Sequence, residues 1–284
     1  MPKRLTVTIV IPVYNEADTI HRCLEAIAAQ TVQPYEVIVV DNNSSDGTAL
    51  LAAQFPFVRV MHEAKQGVVY ARDTGFNAAR GDIIGRIDAD TLLSPDWVET
   101  IQRIFTDNTI SAVSGGMRYH AVPFADFFSR VDRVFRAYLA WALGREVALQ
   151  GANLAIRRSA WQDVRHSLCT RGDMHEDFDL SIHLHEAGHT NRYMRYLQAS
   201  ITFRQAGSKW GDYLPYVLLN PGTYAQHNRA RRIVMYPVIT LAFIFYPLIR
   251  VLYLGYDEAS DGFSFTRLMR SQRKARVNPA TYVD

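Results

Sequence analysis

The sequence predicts an α/β protein in which helices flank a mostly parallel sheet and a helical appendage follows at the C-terminal end. Four short apolar runs alternate with helix-like patterns in the first 90 residues. These runs are continuous and rich in β-branched residues, as expected of strands that are buried on both faces. Residues 233–249 form an uncharged apolar run of 17 residues, which predicts the appendage.

Each element of the first half follows from a local pattern. The predicted strands are residues 6–11, 35–40, 58–61 and 83–87. Apolar residues at helical spacing predict helices at residues 17–30, 48–54, 67–79 and 95–105, the last with Ser94 as N-cap and Pro95 at its first position. Repeated strand–helix–strand units imply parallel strands joined by right-handed crossovers.

The second half of the sequence predicts strands and helices that alternate less regularly. Gly115 and Gly116 suggest that residues 112–119 form two short strands joined by a turn. The other predicted elements are helices at 124–143 and 175–187, a loop and strand at 149–158, and a strand at 192–196.

Composition limits the function classes. The chain has 284 residues, 48% of them hydrophobic, and a net charge of +3, which is too small to indicate nucleic acid as a partner. Cys23 and Cys169 have neither disulfide nor metal-ligand spacing, and the histidines show no zinc pattern, so a reducing compartment is expected. Residues 5–13 are predicted to form a strand rather than a signal peptide.

The loop after the first predicted strand disfavours one class of nucleotide-binding protein. This loop, at residues 12–16, reads PVYNE and lacks the Gly-x-Gly-x-x-Gly pattern of nicotinamide and flavin enzymes. A second class is disfavoured because the sequence also lacks the Gly-Lys-Ser/Thr loop of P-loop NTPases.

Asp88 and Asp90 directly follow the fourth predicted strand. In an extended segment, residues two apart point to the same side, so both carboxylates are expected to face one pocket at the carboxyl edge of the sheet. Hard oxygen ligands of this kind suit Mg²⁺ or Mn²⁺. The alternative is an ordinary solvated turn, in which Asp88 lies in a loop and Asp90 or Thr91 and Ser94 serve as helix caps.

Other acids also lie directly after a predicted strand or at the start of a predicted helix. Asp41 ends the second strand, where a carboxylate can accept hydrogen bonds from a nucleobase or a ribose; the alternative is an Asx turn. Glu176 and Asp177 lie at the start of a predicted helix. The structural alternative there is that Asp177 and Asp179 only supply the negative charge that a helix N-terminus favours. These residues therefore have both a functional and a purely structural interpretation.

Four stretches in one order resemble the family 2 glycosyltransferases of the GT-A (Rossmann-like) fold. They are IVIPVYNE at residues 9–16, VVDNNSSDGT at 39–48, IDADT at 87–91 and HEDFDLS at 175–181. The resemblance covers about residues 5–205 and implies a hexosyltransferase-like enzyme that moves a sugar, with inversion, from a nucleoside diphosphate to an acceptor hydroxyl. It implies a catalytic domain at residues 1–210, with a nucleotide-binding half at 1–115 and an acceptor half at 116–210, followed by a helical region at 211–284.

The resemblance assigns one set of residues to the nucleotide-sugar donor, and favours UDP over GDP. The set is Pro12, Tyr14, Glu16, Asp41, Arg72, Asp88 and Asp90. Asp88 is expected near the ribose or the metal, and Asp90 directly on a Mn²⁺ or Mg²⁺ ion that bridges the diphosphate and assists its departure. For Arg72 and Asp73 the alternative is an exposed pair on a helix.

On the acceptor side, the resemblance implies that Asp177 is the base and Glu176 a supporting or acceptor-binding acid. Direct inversion requires one base that takes the proton of the attacking hydroxyl. Gly151, Ala152 and Asn153 resemble a loop beside the acceptor, where small residues let a sugar approach the backbone. The expected acceptor is a lipid-linked or cell-envelope glycan.

At two positions the sequence differs from motifs that are found in particular groups of sugar transferases. Leu92 stands where some lipid-phosphate mannosyl and glucosyl transferases carry Gln. Residues 226–230 read QHNRA and match only part of the Gln-x-x-Arg-Trp element of processive polysaccharide synthases, because Ala230 replaces the Trp. Long-chain polymerisation is therefore not expected.

The appendage is predicted to bind a membrane. As a helix, the 17-residue run would be about 26 Å long, just short of spanning length, with kinks at Pro237 and Pro247. Basic residues flank and follow it: Arg229, Arg231, Arg232, Arg250, Arg267, Arg270, Arg273, Lys274 and Arg276. Because such residues suit anionic headgroups, residues 229–276 are expected at the cytoplasmic face of a membrane, peripheral or anchored. Contact with a second copy in a homo-oligomer and an ordinary buried helix pair are the alternatives.

Two other functions share this fold pattern. A nucleotidyltransferase would carry a Gly-rich signature near the N-terminal end, and this sequence has none there. A catalytically inactive nucleotide-sugar-binding module would have lost one of the acids, whereas Asp41, Asp88, Asp90 and Asp177 are all present.

Overall fold

A computed structural model of the chain describes residues 4–120, 122–143, 148–170, 174–202, 204–227, 231–257, 260 and 262–270. The described strands are β1 (Val7–Val13), β2 (Glu36–Asp41), β3 (Val58–His62), β4 (Ile83–Arg86), β5 (Leu92–Leu93), β6 (Ala112–His120), β7 (Leu154–Arg157), β8 (Asn191–Thr202), β9 (Tyr256–Asp257) and β10 (Gly262–Phe263). The described α-helices are α1 (Ile20–Ala28), α2 (Thr48–Ala52), α3 (Val68–Ala78), α4 (Trp97–Ile104), α5 (Ala125–Leu143), α6 (Arg158–Val164), α7 (Glu176–Glu186), α8 (Trp210–His227), α9 (Tyr236–Gly255) and α10 (Phe265–Arg270).

Eight of the described strands form one mixed sheet in the order β3-β2-β1-β4-β7-β6-β8-β5. The pairs β1–β2, β2–β3, β1–β4 and β6–β8 are parallel, whereas β4–β7, β6–β7 and β5–β8 are antiparallel. The carboxyl ends of β1, β2 and β4 therefore lie at one edge of the sheet, where open α/β folds bind their ligands. The predicted α/β fold with a mostly parallel sheet is confirmed.

The central strands are covered by other elements on both faces of the sheet. Their side chains point alternately to the two faces, so successive residues pack into different layers. On β1, Ile9 and Ile11 pack with α1 and α4, whereas Val10 packs with the layer that contains Phe76 of α3 and Trp161 of α6. The continuous apolar runs in the sequence are explained by this two-sided burial.

The predicted strand–turn–strand at residues 112–119 is wrong. The segment is the single strand β6, whose register with β8 shifts between Gly115 and Gly116. A Cβ on Gly115 would lie 2.1 Å from both Asn153 Nδ2 and Leu197 O, so this glycine permits close packing rather than a turn. β8 also extends further than predicted, and the short strand β5 was not predicted.

The C-terminal appendage is helical, as predicted, and includes α8 and α9. Pro237 lies in the first turn of α9, where proline is tolerated, and Pro247 lies inside the same helix. The segment Arg232–Gly255 is long and apolar enough to span a membrane, and only 18% of the 18-residue apolar window within it is buried. An ordinary buried helix is therefore a poor description of α9. The predicted basic residues at 229 and from 271 onward lie outside the described residues.

Candidate active site

The loops that follow β1 and β2 are joined to each other through Asn15. Asn15 adopts a positive φ of 53°, which Asn tolerates better than most residues. Its backbone N–H donates to Ser44 Oγ at 3.0 Å, and its side-chain Oδ1 accepts from Ser45 N at 2.8 Å. The predicted donor-binding residues Pro12, Tyr14 and Glu16 are half-buried in and beside this first loop.

Asp41 is the last residue of β2 and is 7% exposed. Its Oδ2 lies 3.4 Å from Ser44 N and 3.8 Å from His62 Nδ1, so the Asx-turn contact is present but long. Among the described residues, nothing hydrogen-bonds to the buried Asp41 Oδ1. A buried acceptor without a partner is costly, and it can be satisfied by a ligand donor.

Asp88 and Asp90 lie in a turn, not in an extended segment as predicted. β4 ends at Arg86, and Thr91 N donates to Asp88 O at 3.0 Å, which closes the turn. The turn is not solvated, because Asp90 is 9% exposed and accepts a 3.0 Å hydrogen bond from Thr202 Oγ1. The predicted geometry is therefore corrected, although both acids lie beyond the carboxyl end of β4.

Arg86 brings acids from distant parts of the chain together. Its Nη2 lies 3.1 Å from Glu176 Oε1 and 3.5 Å from Asp88 Oδ1, and its Nη1 donates to Asp177 Oδ1. The side chain is only 2% exposed. A buried guanidinium of this kind can contact several carboxylates at once because its donors form a rigid fork. The structure thus brings Asp88, Glu176 and Asp177 into one cluster, which we call the Arg86 cluster.

Arg86 was not predicted from the sequence to be a residue of the site. It lies inside the apolar run IIGRID, where it reads as an ordinary strand residue. A charged residue in a strand that is otherwise buried on both faces requires a partner of opposite charge, and this rule could have identified it.

Gly151 and Ala152 form a wall of the same cluster. Gly151 N donates to Asp177 Oδ2 at 2.7 Å, and Thr91 Oγ1 donates to Ala152 O at 3.2 Å. A Cβ on Gly151 would lie 1.6 Å from Arg86 Nη1. The missing side chain therefore makes room for the guanidinium of Arg86.

Asn153 is fully buried and its side chain is used within the protein. Its Nδ2 donates to Leu197 O at 2.9 Å and to Gly116 O at 3.1 Å, and its Oδ1 accepts from Trp97 Nε1 at 2.8 Å. These contacts connect α4, β6 and β8 behind the cluster. They indicate a structural role for this side chain.

Arg72 is completely buried, so an exposed helical pair with Asp73 does not describe it. Its Nε donates to Asp73 Oδ1 at 2.9 Å, and its Nη1 donates to the Glu176 carbonyl oxygen at 3.1 Å. Arg72 therefore connects α3 to the first residue of α7.

Two adjacent acids of α7 have opposite pKa shifts. Burial disfavours the charged form of Glu176, but the neighbouring His175, Arg86 and Arg72 outweigh it and lower the pKa of Glu176 to about 2. For Asp177, burial raises the pKa above its ordinary value, against the opposing charge of Arg86. Glu176 is thus held ionised, while Asp177 is a stronger proton acceptor than an exposed aspartate.

The acids in and beside the Arg86 cluster fit a hard divalent cation. Asp88 and Asp90 offer carboxylate oxygens, which Mg²⁺ and Mn²⁺ prefer. His175, Glu176 and Asp177 offer a second set, whose ligand atoms lie within 4.8 Å of one another.

Comparison with known proteins gives one family. The model of the family described as glycosyl transferase family 2 matches residues 8–164. The glycosyltransferase AglE of Haloferax volcanii is 30% identical over 179 residues, a match that covers 60% of this chain and 59% of AglE. The chain thus matches less than two thirds of the length of that relative.

Solved structures agree on the fold. The mannosyltransferase PcManGT from Pyrobaculum calidifontis, in complex with GDP-Man and Mn²⁺, matches with a TM-score of 0.59 and 23% identity over 99% of this chain and 79% of its own. Glucosyl-3-phosphoglycerate synthase from Mycobacterium tuberculosis, with Mn²⁺, UDP and phosphoglyceric acid, matches with a TM-score of 0.56 and 20% identity over 80% and 78% of the two chains. Because the family match covers more than half of the chain, the protein belongs to glycosyl transferase family 2, a family of sugar-transferring enzymes, and the resemblance and GT-A fold predicted from the sequence are confirmed.

Proposed function

We propose that this protein is an inverting glycosyltransferase that moves a sugar from a nucleoside diphosphate to an acceptor hydroxyl in one displacement. The observation that carries the proposal is the Arg86 cluster. Its guanidinium contacts Asp88 on the proposed donor side and Glu176 and Asp177 on the proposed acceptor side. Direct displacement needs both sides at one place, because the acceptor oxygen attacks as the diphosphate leaves.

The donor side begins at the joined loops after β1 and β2. The buried Oδ1 of Asp41 accepts a hydrogen bond from the nucleobase or ribose, and Pro12, Tyr14 and Glu16 line the rim beside it. A UDP-sugar is the first donor to test and a GDP-sugar the second. Arg72, predicted to contact the nucleotide, instead acts as a positioning residue, because it is buried against Asp73 and Glu176 O.

Asp90, supported by Asp88, holds a divalent cation, Mn²⁺ or Mg²⁺. When bound, this ion neutralises charge that develops on the departing diphosphate. The relatives crystallised with Mn²⁺ support a metal requirement but leave the choice between the two ions open.

Asp177 takes the proton of the acceptor hydroxyl. Arg86 fixes Oδ1 and the Gly151 N–H fixes Oδ2. A carboxylate offers about four lone-pair sites, so these two contacts leave acceptor capacity for a hydroxyl. The raised pKa of Asp177 makes proton uptake more favourable than at an exposed aspartate. Glu176 remains ionised beside it, and the backbone of Gly151 and Ala152 borders the acceptor.

A release assay with a donor panel tests the reaction. The full chain is incubated with UDP- and GDP-sugars, with and without Mn²⁺ or Mg²⁺, and with an envelope lipid fraction as acceptor. We expect acceptor-dependent release of a nucleoside diphosphate that requires the metal, and a product with the opposite anomeric configuration to the donor. Nucleotide binding without release would instead support an inactive binding module, and retained configuration would exclude the single displacement.

We infer that the acceptor is presented at a membrane surface. Several large apolar side chains of α9 are exposed, and they are Tyr236, Leu241, Phe243, Ile244, Phe245, Leu248 and Val251. The exposed apolar surface of α9 fits the acyl region of a bilayer at the membrane surface.

Flotation with lipid vesicles tests this inference. The wild-type chain should float with vesicles that contain anionic lipid, and Leu241→Lys with Ile244→Lys should abolish flotation without changing nucleotide binding. A chain that stays unbound in vesicles but forms a dimer through α9 would show that the helix faces a second copy.

A further inference from the structure

Four side chains of types that can ligate a metal form a group outside the Arg86 cluster. Cys169 lies between α6 and α7, Asp179 and His183 lie on α7, and His227 ends α8. One ligand atom from each residue lies within 4.8 Å of every other. No zinc spacing is visible in the sequence, because the structure assembles the group from positions as far apart as 169 and 227.

This group and the Arg86 cluster lie on opposite sides of α7. Residues two apart on a helix do not face each other, so Asp177 and Asp179 point in different directions. Asp177 contacts Arg86 and Gly151, whereas Asp179 accepts from Cys169 N at 2.9 Å and lies beside His227. The four-residue group and the Arg86 cluster are therefore separate.

The geometry within the group fits a tetrahedral ion. Asp179 Oδ1 lies 2.9 Å from His227 Nε2 and 3.4 Å from His183 Nε2. Ligand atoms bound to one zinc ion at about 2.0–2.3 Å are roughly 3.2–3.8 Å apart, so small movements would give a bound geometry. The two imidazole rings are perpendicular, with centroids 4.9 Å apart, and thus present their nitrogens to the group without clashing.

Two further observations favour an ion over hydrogen bonding alone. Among the described residues, no hydrogen bond satisfies the buried His183 Nε2. On the other side of the same ring, Nδ1 lies 3.8 Å from Glu186 Oε2. A ligating histidine commonly directs its second nitrogen at a carboxylate, which fixes its tautomer and orientation.

We propose that Cys169, Asp179, His183 and His227 form a structural zinc site that clamps α7 to the end of α8. Four protein ligands with one sulfur, two nitrogens and one oxygen suit zinc in a closed, structural geometry. Binding releases the thiol proton of Cys169 to solvent and leaves the imidazoles neutral. The clamp would support the first turn of α7, where His175 N already donates to Thr223 Oγ1 of α8 at 2.8 Å.

Metal content and a spectroscopic probe test the site without relying on transferase activity. The full chain carrying Asp90→Asn, which weakens the proposed catalytic metal site, is saturated with Zn²⁺, dialysed and analysed for bound zinc. We expect close to one ion per chain and a higher Tm with zinc than after chelation. With Co²⁺ in place of zinc, we expect a thiolate-to-cobalt charge-transfer band and the visible spectrum of tetrahedral cobalt.

Matched variants assign the ligands. Cys169→Ser should remove the charge-transfer band, and His183→Gln and His227→Gln should each remove bound zinc and the Tm increase. Glu186→Gln should weaken zinc binding by roughly tenfold through the orientation of His183. The controls Cys23→Ala, the other thiol, and His185→Gln, on the same helix but outside the group, should retain the ion.

Two results would overturn the proposal. One is an Asp90→Asn chain that binds no zinc and gives no cobalt band, which would leave a hydrogen-bonded Asp179–His227 pair. The other is zinc retained equally in the His183→Gln and His227→Gln variants. A variant that fails to fold does not prevent this test, because the cobalt spectrum of the Asp90→Asn chain already reports thiolate ligation.

Discussion

Arg86 donates a hydrogen bond to Asp177, and this contact joins the strand that leads to Asp88 to the helix that carries the proposed base. The two residues are 91 positions apart in the chain and both are buried. The position of the proposed base thus depends on a side chain of the sheet.

Replacing Arg86 by Lys should lower kcat by about a hundredfold, with a much smaller change in donor KM. A single ammonium cannot contact Asp88, Glu176 and Asp177 as the guanidinium does, so Asp177 loses its fixed orientation. Steady-state kinetics separate the two parameters. Arg59→Lys, on β3 beside Glu36, is the matched control and should behave as wild type. An unchanged kcat in Arg86→Lys would show that the contact does not position the base.

Replacing Gly151 by Ala should displace Arg86. The new Cβ would lie 1.6 Å from Arg86 Nη1, and the easiest relief is movement of the guanidinium away from Asp177. We expect a loss of about 1–3 kcal/mol in the free energy of unfolding and a strong loss of turnover. Urea unfolding and kinetics measure both. Gly211→Ala, where no atom lies within 4 Å of the added methyl, should affect neither; equal effects of the two substitutions would contradict this explanation.

Replacing Asp41 by Asn should weaken nucleotide binding by about tenfold or more, because the proposed charge-assisted hydrogen bond from the nucleotide to the buried Oδ1 would be lost. Titration calorimetry with UDP and GDP measures the change. The Tm should remain near the wild-type value, since the amide keeps the shape of the carboxylate. Asp163→Asn, on α6, should bind nucleotide normally. An unchanged affinity in Asp41→Asn would remove this residue from the donor site.

Stability should fall in acid partly through Glu176. The pKa of its carboxyl group is lowered from 4.5 to about 2 in the folded chain, so its stabilising contribution is complete above about pH 4.5 and is lost as the pH falls through 2. Glu176→Gln should therefore be less stable than wild type at pH 7, and the difference in unfolding free energy should shrink between pH 4.5 and 2. Urea unfolding at several pH values measures this difference. Glu99→Gln, on the exposed face of α4, should show no such convergence.

The first half of the fold was predictable because its strands and helices have clear periodicity. The continuous runs at β1, β2 and β4 reflect burial on both faces. β6 was misinterpreted because Gly115 and Gly116 resemble a turn signal, whereas the space beside Gly115 is filled by Asn153 and Leu197. Local sequence carries no information about such tertiary neighbours.

The candidate site was only partly predictable for the same reason. Its acids could be found because each follows a strand or begins a helix, but Arg86 and the partners that orient the acids come from long-range contacts. Asp88 and Asp90 reach the edge of the sheet through a turn, so their local geometry differs from the extended segment that was predicted. The group at Cys169 and His227 is a product of tertiary structure alone.

A single-turnover experiment with Asp177→Asn decides whether this residue is the base. The variant is mixed with saturating donor, metal and acceptor, and product formation is followed alongside the Kd for the donor. We predict that donor affinity and fold are retained while transfer falls by about 10²–10⁴-fold, as expected when a general base is removed. Transfer at a rate close to wild type, with the donor bound normally, would contradict the proposed mechanism.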